Sequence, residues 1–121
     1  MQALIVDDSR AVRRLLGQML TRLGFEVAEA GDGRQALQHL EQSARPDVVL
    51  VDWNMPEMNG LEFVKQVRAQ DHLRELKLMM VTSENEMERV ATALAAGADE
   101  YVMKPFGPET IADKLQLLGL L

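Results

Sequence analysis

The chain has 121 residues, 47% of them apolar and 26% charged, with a formal net charge of −6. That length suits one domain spanning residues 1–121, and the balance is that of a soluble globular protein rather than a disordered one. The acidic charge argues against direct nucleic-acid binding, and the absence of cysteine excludes disulfides, thiol catalysis and cysteine-ligated zinc. No signal-peptide pattern opens the sequence and no apolar stretch could span a bilayer, so a cytoplasmic location is expected.

Ala3-Leu4-Ile5-Val6 reads as a strand buried on both faces, ending in Asp7-Asp8-Ser9. Ser9 suits a helix N-cap, and Val12, Leu15, Leu16, Met19, Leu20 and Leu23 follow at helical spacing up to Gly24. Residues 25–30 give a second strand and 31–33 a turn. A helix is marked by Ala36, Leu37 and Leu40 and closed by Pro46. Residues 47–51 form the central strand, whose apolar run leads straight into Asp52. A third helix after Gly60 carries Leu61, Val64 and Val67. Residues 78–81 are a fourth strand ending in Thr82.

Asn85 to Glu88 has capping-box spacing, and Val90, Ala91, Leu94 and Ala95 are the expected inner face of the fourth helix. Residues 100–103 form the last strand, ending in Lys104-Pro105. Pro108 opens a final helix with Ile111, Leu115 and Leu118 inward. The alternation of strand and helix, five times over, predicts an α/β fold: a five-stranded parallel sheet with helices on both faces. Of the common strand orders, 2-1-3-4-5 is favoured, a flavodoxin-like (βα)5 arrangement.

In that order strands one and three are neighbours. The carboxyl edge of the sheet would gather Asp7, Asp8 and Asp52, with Thr82 and Lys104 beside them. Two carboxylates about 4 Å apart repel by roughly 4 kcal/mol at an effective dielectric near 20. A single lysine cannot offset three. An all-oxygen site of this kind suits Mg²⁺, with Mn²⁺ able to substitute. The parts fit phosphoryl transfer to Asp52 as nucleophile, with Thr82 and Lys104 stabilising the phosphoryl oxygens. Taken singly, each residue has a plainer reading: a solvated turn, a cap, a surface lysine. Their convergence on one sheet edge is what favours function. His39 and His72 read as solvated helix residues.

Asp7-Asp8, Asp52-Trp53-Asn54-Met55-Pro56, Gly60, Thr82-Ser83-Glu84, Ala96-Gly97-Ala98 and Lys104-Pro105-Phe106 together resemble the receiver domains of two-component response regulators. The likeness is strongest to stand-alone chemotaxis receivers of the CheY-like type, and it covers nearly the whole chain. The resemblance implies that Asp52 is the phosphoacceptor. It implies Mg²⁺ held by Asp8, Asp52 and the Asn54 backbone carbonyl, with Asp7 acting through a metal-bound water. Thr82 and Lys104 would bind the phosphoryl group, and Asn54 and Glu84 would tune dephosphorylation. A cis Lys104–Pro105 bond is implied as well.

Tyr101 is implied as a switch on the fifth strand. Its output surface would be the face of helix four, strand five and helix five, with Met87, Val90, Leu94, Met103, Phe106 and Lys114 as candidates. Ser83, Met87 and Met103 depart from the chemotaxis pattern there, which bears on the target more than on the chemistry. The expected partners are a sensor histidine kinase or histidine phosphotransfer protein and a downstream protein target, with the chain a monomer or weak dimer. With no DNA-binding segment after Leu121, output through protein contacts is expected, or onward transfer in a phosphorelay. The protein would catalyse its own phosphorylation and dephosphorylation without being an enzyme in the ordinary sense.

Two other classes compete. A phosphatase of the haloacid-dehalogenase type would need an acid two residues after its nucleophile, where Asn54 stands. A flavodoxin-like carrier would need a phosphate-cradling loop where Asp7 and Asp8 stand.

Overall fold

A computed structural model describes residues 1–83 and 87–121, with Met87 described by its backbone alone. Its five strands are β1 (Gln2–Val6), β2 (Glu26–Ala30), β3 (Val48–Asp52), β4 (Lys77–Ser83) and β5 (Glu100–Lys104). The helices between and after them are α1 (Arg10–Arg22), α2 (Gly33–Gln42), α3 (Gly60–Arg68), α4 (Met87–Ala96) and α5 (Pro108–Leu117). All strand pairs are parallel and the order is β2-β1-β3-β4-β5, as expected.

The three inner strands explain the core. Successive side chains of a strand point to opposite faces, so each apolar run feeds two clusters. Leu4, Val6, Val49, Val51, Leu78 and Met80 enter one cluster, with Phe63 and Val67 of α3 and Ala93 of α4. Ala3, Ile5, Val48, Leu50, Met79 and Val81 enter the other, with Leu16 and Leu20 of α1 and Ile111 and Leu115 of α5. Burial on both faces is why these runs lack polar alternation.

Helix ends follow local chemistry. The Ser9 side chain accepts the Val12 N–H at 3.2 Å, and Asp32 accepts the Gln35 N–H at 2.9 Å. Asn59 and Glu62 form a capping box at the start of α3. The Asn85–Glu88 capping box lies outside the described residues. A one-turn 3₁₀ helix, Asp71–Leu73, was not expected from the sequence, and His72 sits there, exposed. His39 is half-buried rather than fully solvated. Arg68 ties the far end together: its guanidinium donates to the carbonyls of Gly97, Leu73 and Arg74 and to Asp99.

Two expected helix faces are corrected. On α4 the inward residues are Val90 and Ala93, whereas Ala91, Leu94 and Ala95 face water. The segment Val90-Ala91-Thr92-Ala93-Leu94-Ala95-Ala96 is apolar on nearly all sides, so its periodicity did not single out a stripe. Small Ala93 lets the helix approach the sheet. On α1, Leu15 is 46% exposed while Leu16 is buried, because the sheet meets the helix along Leu16, Met19 and Leu20. No helix among the described residues is long and apolar enough to cross a membrane.

Candidate functional site

The carboxyl edge of the sheet brings the expected residues together. Asp7 follows β1, Asp52 is the last residue of β3, Thr82 is next to last in β4, and Lys104 is last in β5. Asp7, Asp8 and Asp52 each offer a carboxylate oxygen within 4.8 Å of the others. Lys104 Nζ lies 3.4 Å from Asp52 Oδ1 and 4.0 Å from Asp7 Oδ2. Asp7 and Asp52 are buried and Asp8 is exposed, so the group opens to solvent on one side.

Burial dominates the electrostatics. It raises the Asp52 carboxyl to about 6; the Asp7 charge adds to the rise and Lys104 opposes it. Burial also raises Asp7, against the pull of a hydrogen bond from the Ser9 N–H at 2.8 Å and of Lys104. At neutral pH Asp52 is still mainly ionised and able to act as a nucleophile.

Two buried oxygens in the site have no hydrogen-bond partner among the described residues: Asp7 Oδ2 and Thr82 Oγ1. An unsatisfied buried polar group costs about 1–3 kcal/mol. Such groups persist where a ligand completes them. A cation beside Asp7 and an anion beside Thr82 would satisfy both. The donor set is all oxygen and carries excess negative charge, so it fits a hard divalent cation.

Asn54 is exposed in the β3–α3 loop, two residues beyond Asp52. Glu84 lies outside the described residues. The Lys104–Pro105 bond is cis. The β3–α3 loop is pinned by Gly60, whose N–H donates to the Trp53 carbonyl at 2.9 Å. A Cβ at Gly60 would fall 2.6 Å from the Asp52 carbonyl oxygen, so only glycine permits this approach of α3 to β3.

Sequence reasoning missed Arg13. Its guanidinium donates to the Asp7 carbonyl at 2.6 Å and pairs with Glu29 at 3.0 Å, fixing the acidic loop from behind. The signal was an arginine one turn into the helix after an acidic pair, and its meaning depends on Glu29 of a neighbouring strand. Arg89 was missed too; its guanidinium lies 5.6 Å from the centre of the Trp53 ring, beside Asp52.

The output candidates divide. Leu94 is 40% exposed, and Tyr101, Met103 and Lys114 are half-buried on or beside β5. Val90 is buried and so supports the face without presenting to a partner. Phe106 packs on the α1/α5 cluster, whereas Tyr101 packs on the α2–α4 side, so they lie toward opposite faces of the sheet. The Met87 side chain is outside the described residues.

Residues 3–116 match the response regulator receiver domain. The chain belongs to that family. This receiver is 44% identical to chemotaxis protein CheY1 of Helicobacter pylori over 119 residues, 98% of the chain and 96% of the relative. It is 45% identical over 117 residues to a chemotaxis protein CheY homolog of Campylobacter jejuni, covering 96% and 90%. Among solved structures, the receiver is similar to CheY4 of Vibrio cholerae, with TM-score 0.89 and 40% identity over 97% of each chain. It also resembles the receiver domain of NtrX from Brucella abortus, with TM-score 0.87 and 26% identity over 98% and 99%. The receiver is thus a phosphorylation-dependent response regulator of two-component signalling, and the phosphatase and flavin-carrier readings are not favoured.

Proposed function

We propose that Asp52 accepts the phosphoryl group from a phosphohistidine of a sensor histidine kinase or phosphotransfer protein. A carboxylate oxygen of Asp52 attacks phosphorus, the oxygen–phosphorus bond forms, the nitrogen–phosphorus bond breaks, and the histidine nitrogen leaves with its electron pair. Lys104, already 3.4 Å from Asp52, offsets charge on the transferring oxygens. The buried Thr82 hydroxyl donates to one of those oxygens. Reversal to the resting state is attack of water on phosphorus, releasing phosphate and regenerating the carboxylate. By resemblance to the family, Asn54 and Glu84 would tune that step, with Asn54 orienting the water without exchanging a proton.

Asp8, Asp52 and the Asn54 carbonyl would hold Mg²⁺, or Mn²⁺ in its place, with Asp7 acting through a bound water. The ion would supply positive charge to the carboxylates and to the phosphoryl oxygens. The observation that carries this reading is the convergence of three carboxylates and Lys104 at one sheet edge, where two buried oxygens lack a hydrogen-bond partner among the described residues.

The protein works as a cytoplasmic switch that catalyses only its own modification, not as an enzyme acting on other substrates. Its output is protein binding in a chemotaxis-type pathway through the α4–β5–α5 face, where Leu94, Tyr101, Met103 and Lys114 stand. The chemotaxis names of the relatives support that choice.

The single tryptophan, Trp53, adjoins Asp52 and reports on the site. Mg²⁺ should change its fluorescence saturably, and Asp8→Asn should weaken that response. Acetyl phosphate should add one phosphoryl mass to the protein and none to Asp52→Asn. Equal labelling of the two proteins would remove Asp52 from the proposal.

A further inference from the structure

Strand β2 is the outer strand of the sheet, paired to β1 alone. The Glu26 N–H donates to the Met1 carbonyl, and the Ala30 carbonyl accepts the Asp7 N–H. Alternate residues of a parallel strand turn both backbone groups to the same side, so residues 26, 28 and 30 face β1. Val27 and Glu29 therefore direct their N–H and C=O groups outward, and no backbone group among the described residues meets them. Exposed edges are commonly blunted by proline, a bulge or charged side chains. Here the protection is two glutamates, and Glu29 is already held by Arg13 at 3.0 Å.

Val27 lines a groove on each face of the sheet. The α1 side has a groove of about 650 Å³, walled by Arg10, Arg13, Arg14 and Arg22. The α2 side has one of about 250 Å³, lined in part by His39 and Ser43. Arg10, Arg14 and Arg22 pair with no carboxylate among the described residues, in a chain of net charge −6. Gly17 stands on the wall of the larger groove. A Cβ there would meet Val27 Cγ1 at 3.7 Å, an ordinary contact, so packing does not require glycine. Glycine weakens a helix interior relative to alanine. Its effect at position 17 is to leave the groove open down to Val27.

We propose that the β2 edge takes up an extended acidic segment of a partner protein as a sixth strand. The outward Val27 and Glu29 backbone groups would pair with it, and every second side chain would lie against the α1 arginines. Strand addition of this kind draws affinity from main-chain bonds and specificity from alternate side chains. The dimensions agree: Arg10 to Arg22 spans about 18 Å at 1.5 Å per residue, which five or six residues of strand cover at about 3.3 Å each. A second copy of this chain fits poorly. Antiparallel β2–β2 pairing puts both α1 helices on one face and sets arginine against arginine.

The test uses the unphosphorylated 121-residue chain and a labelled eight-residue peptide of alternating Asp and Val. Saturable binding that weakens with salt is expected. Arg14→Glu with Arg22→Glu should weaken it roughly tenfold or more, as loss of charge-assisted contacts does. Val27→Pro, which deletes one outward N–H at an edge position that tolerates proline, should weaken it by a similar factor. The same peptide N-methylated at alternate amides tests strand pairing without any variant and should also bind roughly tenfold more weakly. An N-methylated peptide, or an oligonucleotide of equal charge, that binds as tightly as the parent peptide would overturn the proposal. So would a salt-stable dimer of the free protein whose formation blocks the peptide.

Discussion

Lys114 Nζ lies 4.5 Å from the centre of the Tyr101 ring and 3.1 Å from Glu100 Oε1. The ammonium of α5 thus holds the aromatic side chain of β5 and its neighbour together. Strand β5 pairs with β4, with Met80 opposite Tyr101 and Thr82 opposite Met103. The proposed movement of Thr82 toward a phosphoryl group would occur one strand away from Tyr101, and the Lys114 contact would bias which way the ring turns. A partner must bind the two ring positions unequally for this to signal.

Removing the ammonium tests that arrangement. A cation–π contact of this kind is worth about 0.5–1 kcal/mol, or roughly a two- to fivefold change in an equilibrium. Lys114→Ala should shift the Tyr101 ring resonances and change target affinity by that factor, while labelling of Asp52 proceeds at the parent rate. Unmoved Tyr101 resonances would separate the two residues.

Metal-free stability should depend on Asp52 in a defined direction. Its pKa is about 6 when folded, above an ordinary carboxyl near 3.8. Between those values the folded state binds more protons than the unfolded state, so stability falls as pH rises through the window. The full effect is about 3 kcal/mol at 1.36 kcal/mol per unit, and Asp7 acts in the same direction. Asp52→Asn should flatten this fall and unfold at higher urea than the parent at pH 7 in a chelator. Parallel pH profiles for the two proteins would contradict the assigned electrostatics.

Gly60 sets the approach of α3 to the acceptor strand. A Cβ there would also fall 2.8 Å from Met80 Cε, so backbone and core must both give way. Gly60→Ala should cost about 1–3 kcal/mol of stability, the usual range for overpacking. It should also slow labelling of Asp52, whose own carbonyl is the closest contact. Denaturant midpoints and labelling rates measured together check both effects.

Glu57 carries a positive φ of 69° in the loop after Asp52. That conformation is unfavourable for most side chains and readily adopted by asparagine or glycine. Glu57→Asn should raise stability by about 1 kcal/mol, read as a higher urea midpoint with an unchanged slope.

The central strands were legible because both of their faces are buried, which leaves an apolar run with no alternation. The acidic site followed from counting strands: Asp7, Asp52, Thr82 and Lys104 each stand at or beside the end of one, and a parallel sheet puts those ends together. Features that depend on distant partners were not legible. Arg13 acquires its role from Glu29 and the Asp7 carbonyl, and Arg68 from carbonyls of two separate segments. On α4 an apolar circumference hid the true inner face, so Val90 appeared as both core and surface. Phe106 lies beyond the end of β5 at Lys104, so alternation counted along the strand does not extend to it. The Asn59–Glu62 capping box starts α3 at Gly60, a residue that the sequence reading places before the helix.

Mapping the phosphorylated position tests the central claim most directly. The protein is treated with acetyl phosphate and Mg²⁺, the acyl phosphate is reduced with borohydride, and the peptides are sequenced by mass spectrometry. Conversion of the aspartate to homoserine at position 52 alone, lost when Asp52 is replaced by asparagine, is the predicted result. Reduction at Asp7 or Asp8 in the parent protein, with Asp52 intact, would contradict the account.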